Sequence, residues 1–158
     1  MSENIIKIFT DGACKGNPGL GGWGALIIED GEEKEIYGGS FNTTNNKMEL
    51  TATIEALKFF KDPKIIELYT DSKYVVDSIE KKWLFKWEKI KFKNKKNVDL
   101  WLDFLSLYKK NSIKFNWIKG HNNHPQNERC DKLAFNAASG ENLFSDTGYE
   151  GNDLNTLF

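Results

Sequence analysis

Three β-rich runs precede the first helical pattern in this chain, and that order restricts the available folds more than any other feature. IIKIFT at 5–10, WGALIIE at 23–29 and KEIYGGS at 34–40 read as strands. Turn chemistry, DGACKGNPGLGG, follows the first run, and Asp30-Gly31 separates the second from the third. Together they predict an antiparallel meander. From Met48, MELTATIEALKFF has helical spacing, with Leu50, Ile54 and Leu57 on one face, Ala52, Ala56 and Phe59 widening it, and Pro63 ending it. IIELYT at 65–70 is a fourth strand, and SKYVVDSIEKKW a helix that continues into a basic segment. VDLWLDFLSLYKK is another helix, its turn followed by Leu102, Leu105 and Tyr108 or Lys109. SIKFNWIK gives a fifth strand, and PQNERCDKLAFNAAS a last helix with Pro125 at its first position and an end near Gly140. The order βββαβαα(α)βα predicts an α/β fold: a five-stranded mixed sheet, three antiparallel strands continued by parallel ones, flanked by helices.

A chain of 158 residues fits one domain with a core large enough to need no disulfide staples. We expect a single domain over 1–142 and a loosely packed tail over 143–158. No apolar run is long enough to span a bilayer, and MSENIIKIFTDG lacks a basic leader and an apolar signal core. The expectation is a cytoplasmic protein without membrane association, with Cys14 and Cys130 reduced. NTT at 42–44 matches a glycosylation sequon, which carries no meaning without export.

The net charge of −1 conceals an asymmetry. KKWLFKWEKIKFKNKK, 81–96, holds eight lysines and one glutamate, leaving the rest of the chain strongly acidic. This segment reads either as a solvated helix over buried tryptophans or as a footprint for a phosphate backbone, with Trp83, Phe85, Trp87 and Phe92 available to pack on sugars or stack. The chain has one arginine, Arg129. Lysine grips phosphate as a mobile point charge and reads bases poorly, which argues against sequence-specific recognition.

Gly19-Leu20-Gly21-Gly22-Trp23-Gly24 matches the dinucleotide fingerprint as a string. That motif needs a helix to begin at once, whereas WGALIIED continues as a strand, so no nucleotide cofactor is expected. Four acidic residues are better placed. Asp11 ends the first strand, Asp71 ends the fourth, Glu49 opens the helix between them, and Asp131 lies in the second turn of the last helix. Each has an ordinary alternative: a turn residue for Asp11, an N-cap for Asp71, a favourable helix end for Glu49, a lysine partner for Asp131. Ligands of partly parallel sheets bind beyond the carboxyl ends of the strands, where Asp11 and Asp71 would lie side by side. Converging carboxylates require protons or a cation, and an oxygen-only set favours Mg²⁺ or Mn²⁺. The possible zinc ligands His121, His124 and Cys130 are irregularly spaced and have no fourth partner nearby. Two divalent ions would suit in-line displacement at phosphorus.

FTDGACKGNPGLGGWGA, TTNNKMELTA, YTDSKYV, NVDLW, WIKGHNNHPQNERCDKLA and DTGY at 146–149 resemble the prokaryotic type 1 ribonuclease H family, over roughly Ile5 to Tyr149. The resemblance implies that fold, and endonucleolytic cleavage of the RNA strand of RNA/DNA hybrids with two Mg²⁺ ions, Mn²⁺ being a possible substitute. It implies 5′-phosphate and 3′-hydroxyl products, a monomer, and a role in removing RNA primers and R-loops. It puts the metal carboxylates on Asp11, Glu49, Asp71 and Asp131 and a mobile histidine on His121, with His124 structural or peripheral. Residues matching Asn17, Asn45 and Asn46 contact the hybrid, and the one matching Thr44 helps grip a DNA phosphate. Asn17 and the Asn45-Asn46 pair also read as ordinary turn formers. The basic segment becomes a protrusion embracing the DNA strand, with Trp83 and Trp87 as its tryptophan pair. Two departures stand out: the segment between Trp87 and NVDLW is shorter than the family's usual one, and Lys73 stands where glutamine is usual, exchanging a base-edge contact for phosphate affinity. A non-catalytic hybrid-binding module and a structure-selective DNA nuclease are the other readings, the first requiring a lost carboxylate and the second disfavoured by TTNN.

Overall fold

The computed structural model describes residues 4–16, 18–119 and 124–139. His121, Asn17, the DTGY stretch and the tail therefore lie outside the described residues. Strands β1 (Ile5–Gly16), β2 (Gly19–Glu29) and β3 (Glu32–Thr43) form the antiparallel meander. They are followed by α1 (Asn45–Lys58), β4 (Ile65–Thr70), α2 (Lys73–Glu80), α3 (Trp83–Lys89), α4 (Val98–Lys110), β5 (Ser112–Trp117) and α5 (Pro125–Ala138). The sheet order is β3-β2-β1-β4-β5, with β4 parallel to β1 and β5 parallel to β4. This is the five-stranded mixed sheet expected from the segment order.

The main core lies on one face of this sheet. Ile6, Ile8, Ala25, Ile27, Ile66 and Leu68 pack there against Leu50, Ile54 and Leu57 of α1 and Trp101, Phe104 and Leu105 of α4. On the other face α5 covers Phe9 and Leu26 with Cys130. Unbroken buried runs, Ile8 to Asp11 in β1 and Gly24 to Ile27 in β2, show that both faces of these strands are covered, since neighbouring residues point to opposite faces.

Several boundaries differ from the sequence reading. The glycine-rich stretch after Thr10 continues as strand, and β1 and β2 pair as far as Gly16 and Gly19. Asp30 and Gly31 both adopt positive φ at the β2–β3 turn, which suits the right-handed twist of the flanking strands. Helix α1 begins at Asn45, with Thr44 as its N-cap, so the asparagine pair belongs to the first turn. Phe59 and Leu102 are exposed, and the buried face of α4 is carried by Trp101, Phe104 and Leu105.

The basic segment is not one continuous helix. Lys82 adopts left-handed φ between α2 and α3, and Lys91, Phe92, Asn94 and Asn97 do so beyond α3. These residues coil the chain into tight turns. Leu84 and Phe92 are buried and pin it to the main core, leaving the lysines outward. Trp87 packs edge-on against Trp101, their ring centroids 5.6 Å apart, while Trp83 stacks on Trp87 at 6.3 Å. Lys95 and Lys81 lie over Trp87 and Trp83 respectively. The tryptophans are thus anchored below a solvated lysine surface.

Candidate active site

Where parallel pairing between β1 and β4 ends, at Thr10 and Thr70, the next residues are Asp11 and Asp71. Asp11 remains in β1, opposite Gly24 of β2, and so is no turn residue. Asp71 is no N-cap either: Ser72 fills that role, its Oγ accepting from the Val75 amide.

Glycines bring the helices onto this edge. A Cβ on Gly12 would sit 2.5 Å from the Glu49 backbone nitrogen, so α1 rests directly on the β1 backbone there. A Cβ on Gly22 would lie 2.1 Å from the Ala134 carbonyl, and one on Gly24 2.6 Å from Leu133 Cβ, so α5 lies equally close to β2. Close approach of α1 brings Glu49 to Asp11, and that of α5 brings Asp131 to Asp11. Here the absent side chains serve helix packing as much as turning.

Carboxylate oxygens of Asp11, Glu49 and Asp71 lie within 4.8 Å of one another. Asp11 and Glu49 are each only 5% exposed. Glu49 lies beyond the first turn of α1, and its Oε1 is buried with no hydrogen-bond partner. An orphaned buried carboxylate oxygen carries a desolvation penalty that neither the helix end nor packing offsets. Burial, then the charges of Asp11 and Asp71, hold the Glu49 carboxyl well above the usual carboxylate range. Asp11 is pushed up to about 8 by burial first, then by Asp71 and Asp131. Asp131 is half-buried and stands beside the triad, facing Asp11. The group needs protons or cations to be stable, and its oxygen-only donors, with Glu49 Oε1 unpartnered, fit a hard divalent ion.

The zinc alternative finds no support among the described residues. His124 caps α5 through Nδ1, accepting from the Asn127 amide at 3.4 Å, and Cys130 is buried, its thiol donating to the Phe9 carbonyl.

Thr44, Asn45, Asn46 and Lys73 flank this edge. Thr44 Oγ1 accepts from the Lys47 amide, and Asn45 and Asn46 are exposed on the first turn of the helix that carries Glu49. Lys73 opens α2, two residues past Asp71. Trp83 and Trp87 stay in the basic segment and are not brought to the carboxylates. Sequence reading missed the roles of Gly12, Gly22 and Gly24. It also missed Trp117, whose indole N–H donates to the Asp71 carbonyl at 3.1 Å. A glycine run entering a strand was the available signal for the first group; nothing local to Trp117 marked it.

Comparison with known proteins agrees with this geometry. Ribonuclease H of Nitratidesulfovibrio vulgaris (strain DSM 19637 / Miyazaki F) is 47% identical over 154 residues, covering 94% of this chain and 99% of that protein. Ribonuclease H of Zymomonas mobilis subsp. mobilis is 52% identical over 141 residues, covering 86% and 90%. Among solved structures, LC9-RNase H1, described as a type 1 RNase H with the type 2 active-site motif, is similar at TM-score 0.79 and 28% identity, covering 97% of this chain and 82% of that one. LC11-RNase H1 in complex with RNA/DNA hybrid is similar at TM-score 0.67 and 25% identity, covering 85% and 96%. With the RNase H family model matching residues 3–139 and the fold shared, the carboxylate edge belongs to a metal-dependent nuclease scaffold, and the chain belongs to the ribonuclease H family.

Proposed function

We propose that this protein cleaves the RNA strand of RNA/DNA hybrids endonucleolytically, without sequence specificity, leaving 5′-phosphate and 3′-hydroxyl ends. The observation that carries this reading is the triad of Asp11, Glu49 and Asp71, a cluster of two buried carboxyls and one half-buried one that phosphodiester hydrolysis can use and stability alone cannot explain. Family membership supplies the hybrid as substrate class, and the solved relative bound to a hybrid supports it.

Asp11, Glu49 and Asp71, with Asp131 beside them, would hold two Mg²⁺ ions, with Mn²⁺ as a substitute. When bound, such ions lower the pKa of a water and neutralise charge developing at phosphorus. The chain's own residues do the rest. The strand ends and the two helix contacts fix the carboxylates before substrate arrives. His121, in the polar sequence GHNNH, moves a proton in the attack or in product departure. Asn17 contacts the hybrid, and Thr44, Asn45 and Asn46 meet it beside Glu49, where amides can reach base edges and ribose 2′-hydroxyls without reading sequence. Lys73 meets a phosphate, and the lysines over Trp83 and Trp87 hold the DNA strand. We further propose a monomeric, cytoplasmic enzyme with one domain over 1–142, its basic protrusion at about 81–96, and a tail over 143–158.

The test compares end-labelled hybrid, duplex RNA and duplex DNA of one sequence. Cutting confined to the RNA strand of the hybrid, with 5′-phosphate and 3′-hydroxyl ends, is the expected result. Equal cutting of duplex DNA would replace this reading with that of a structure-selective DNA nuclease, and tight hybrid binding without cutting would replace it with a binding module.

A pH dependence follows from the same cluster. Metal binding must displace protons from Asp11 and Glu49, so at subsaturating Mg²⁺ the cleavage rate rises with pH until about 8, where Asp11 ionises unaided. Saturating Mg²⁺ flattens the profile. A rate that is flat from pH 6 to 8 at limiting metal contradicts the assignment.

A further inference from the structure

Trp117 is the last residue of β5, in register with Thr70, and so stands at the sheet edge that carries Asp11 and Asp71. It is 46% exposed, whereas Phe115, on the same face of the strand, is buried. Two contacts fix this exposed indole. Its N–H donates to the Asp71 carbonyl at 3.1 Å, and the Lys73 ammonium lies 4.6 Å from the centre of its ring. Lysine in the first turn of a helix meets the positive end of the dipole, so Lys73 gains nothing there from α2. Among the described residues it has no carboxylate partner within ion-pair distance. An exposed cation is thus held by an aromatic face two residues from a triad carboxylate, at a contact worth about 0.5–1 kcal/mol in such a setting.

We propose that Trp117 is a positioning residue for substrate. Its ring seats the Lys73 ammonium at the mouth of the carboxylate site, where the cation meets a phosphate flanking the scissile one, and its N–H fixes the Asp71 backbone. The ligand class is a phosphodiester backbone, and the inference rests on the hybrid-cleavage reading above. Lysine without such a seat would sweep a wide volume and lose side-chain entropy on each binding event. The indole face removes part of that cost in advance, as preorganisation does elsewhere.

Steady-state cleavage of hybrid over a range of KCl concentrations tests it, with wild type, Lys73→Gln, Trp117→Leu, Trp117→Phe and the Lys73→Gln/Trp117→Leu double variant. Lys73→Gln lowers the slope of log KM against log salt by about one, the signature of one lost phosphate contact. Trp117→Leu raises KM about 2–5-fold, matching the loss of the cation–ring contact. The double variant has the KM of Lys73→Gln alone, because both substitutions remove one arrangement. Trp117→Phe keeps a ring and restores most of the KM, but lowers kcat through the lost hydrogen bond to Asp71. Additive effects on KM, or a salt slope unchanged by Lys73→Gln, overturn the proposal. The latter reading holds even if Trp117→Leu folds poorly. Cleavage of hybrid by wild type in the same assay separates failure of this inference from failure of the proposed function.

Discussion

Asp11→Asn is expected to reduce hybrid cleavage by about three orders of magnitude or more and, in EDTA at pH 8, to raise the melting temperature above that of wild type. The two effects share a cause. Asp11 is a buried carboxyl whose neighbours Asp71 and Asp131 oppose its ionisation, and its folded-state value near 8 lies far above its ordinary value of 3.8. Between those values the native protein retains a proton that the unfolded chain releases. Native stability therefore falls as pH rises from about 4 to 8, and is lowest above that range. Asparagine cannot ionise, and its side-chain oxygen can still accept from the Gly12 amide, as Asp11 Oδ1 does at 2.9 Å. The stabilisation is a few degrees or more, at about 2–4 °C per kcal/mol for a chain of this size, and shrinks at pH 5.5. Scanning calorimetry with and without EDTA at both pH values checks the sign. A variant less stable than wild type at pH 8 in EDTA would show that the cluster is not strained by its own charge.

Gly12→Ala has the second large effect. The new methyl would lie 2.5 Å from the Glu49 nitrogen and 2.7 Å from the Met48 carbonyl carbon, both backbone atoms of α1 that no rotamer change can clear. The helix must back away from β1 and carry Glu49 with it. Overpacking of this kind costs about 1–3 kcal/mol, and a shift near 1 Å at a catalytic group costs about a hundredfold in rate. We expect a melting temperature about 2–12 °C lower and cleavage down by about two orders of magnitude. Gly31→Asn is the control: that glycine has φ +80° and open space, with nothing within 4 Å of where a Cβ would stand, and asparagine tolerates the left-handed region. It should leave cleavage unchanged. A Gly12→Ala protein as active as wild type would mean that α1 has room to spare and that its backbone contact does not set the site.

The segment order made the mixed sheet legible, because three strands before the first helix and alternating strands and helices afterwards leave few arrangements. The carboxylates were legible for a related reason: Asp11 and Asp71 follow strand-like runs, and parallel pairing of those runs puts them together. What local pattern could not supply was tertiary contact. The glycines after Thr10 carry turn propensity, but α1 and α5 press on them and hold the chain in strand as far as Gly16. Asn45 and Asn46 are poor helix formers, yet Thr44 caps ahead of them and the helix starts early. Left-handed Lys82 divides a run of helical composition into α2 and α3, and the burial of Leu84 and Phe92 holds that break in place. Trp117 was legible only as a strand residue, since its two partners, Asp71 and Lys73, lie more than forty positions away in the chain.

The most direct test of the central claim incubates an RNA/DNA hybrid, labelled on each strand in turn, with wild-type protein in Mg²⁺ and in EDTA. Cutting of the RNA strand alone, present with Mg²⁺ and lost with EDTA, is the predicted result. Cutting that persists in EDTA, or an intact hybrid in the presence of folded protein and either Mg²⁺ or Mn²⁺, would contradict it.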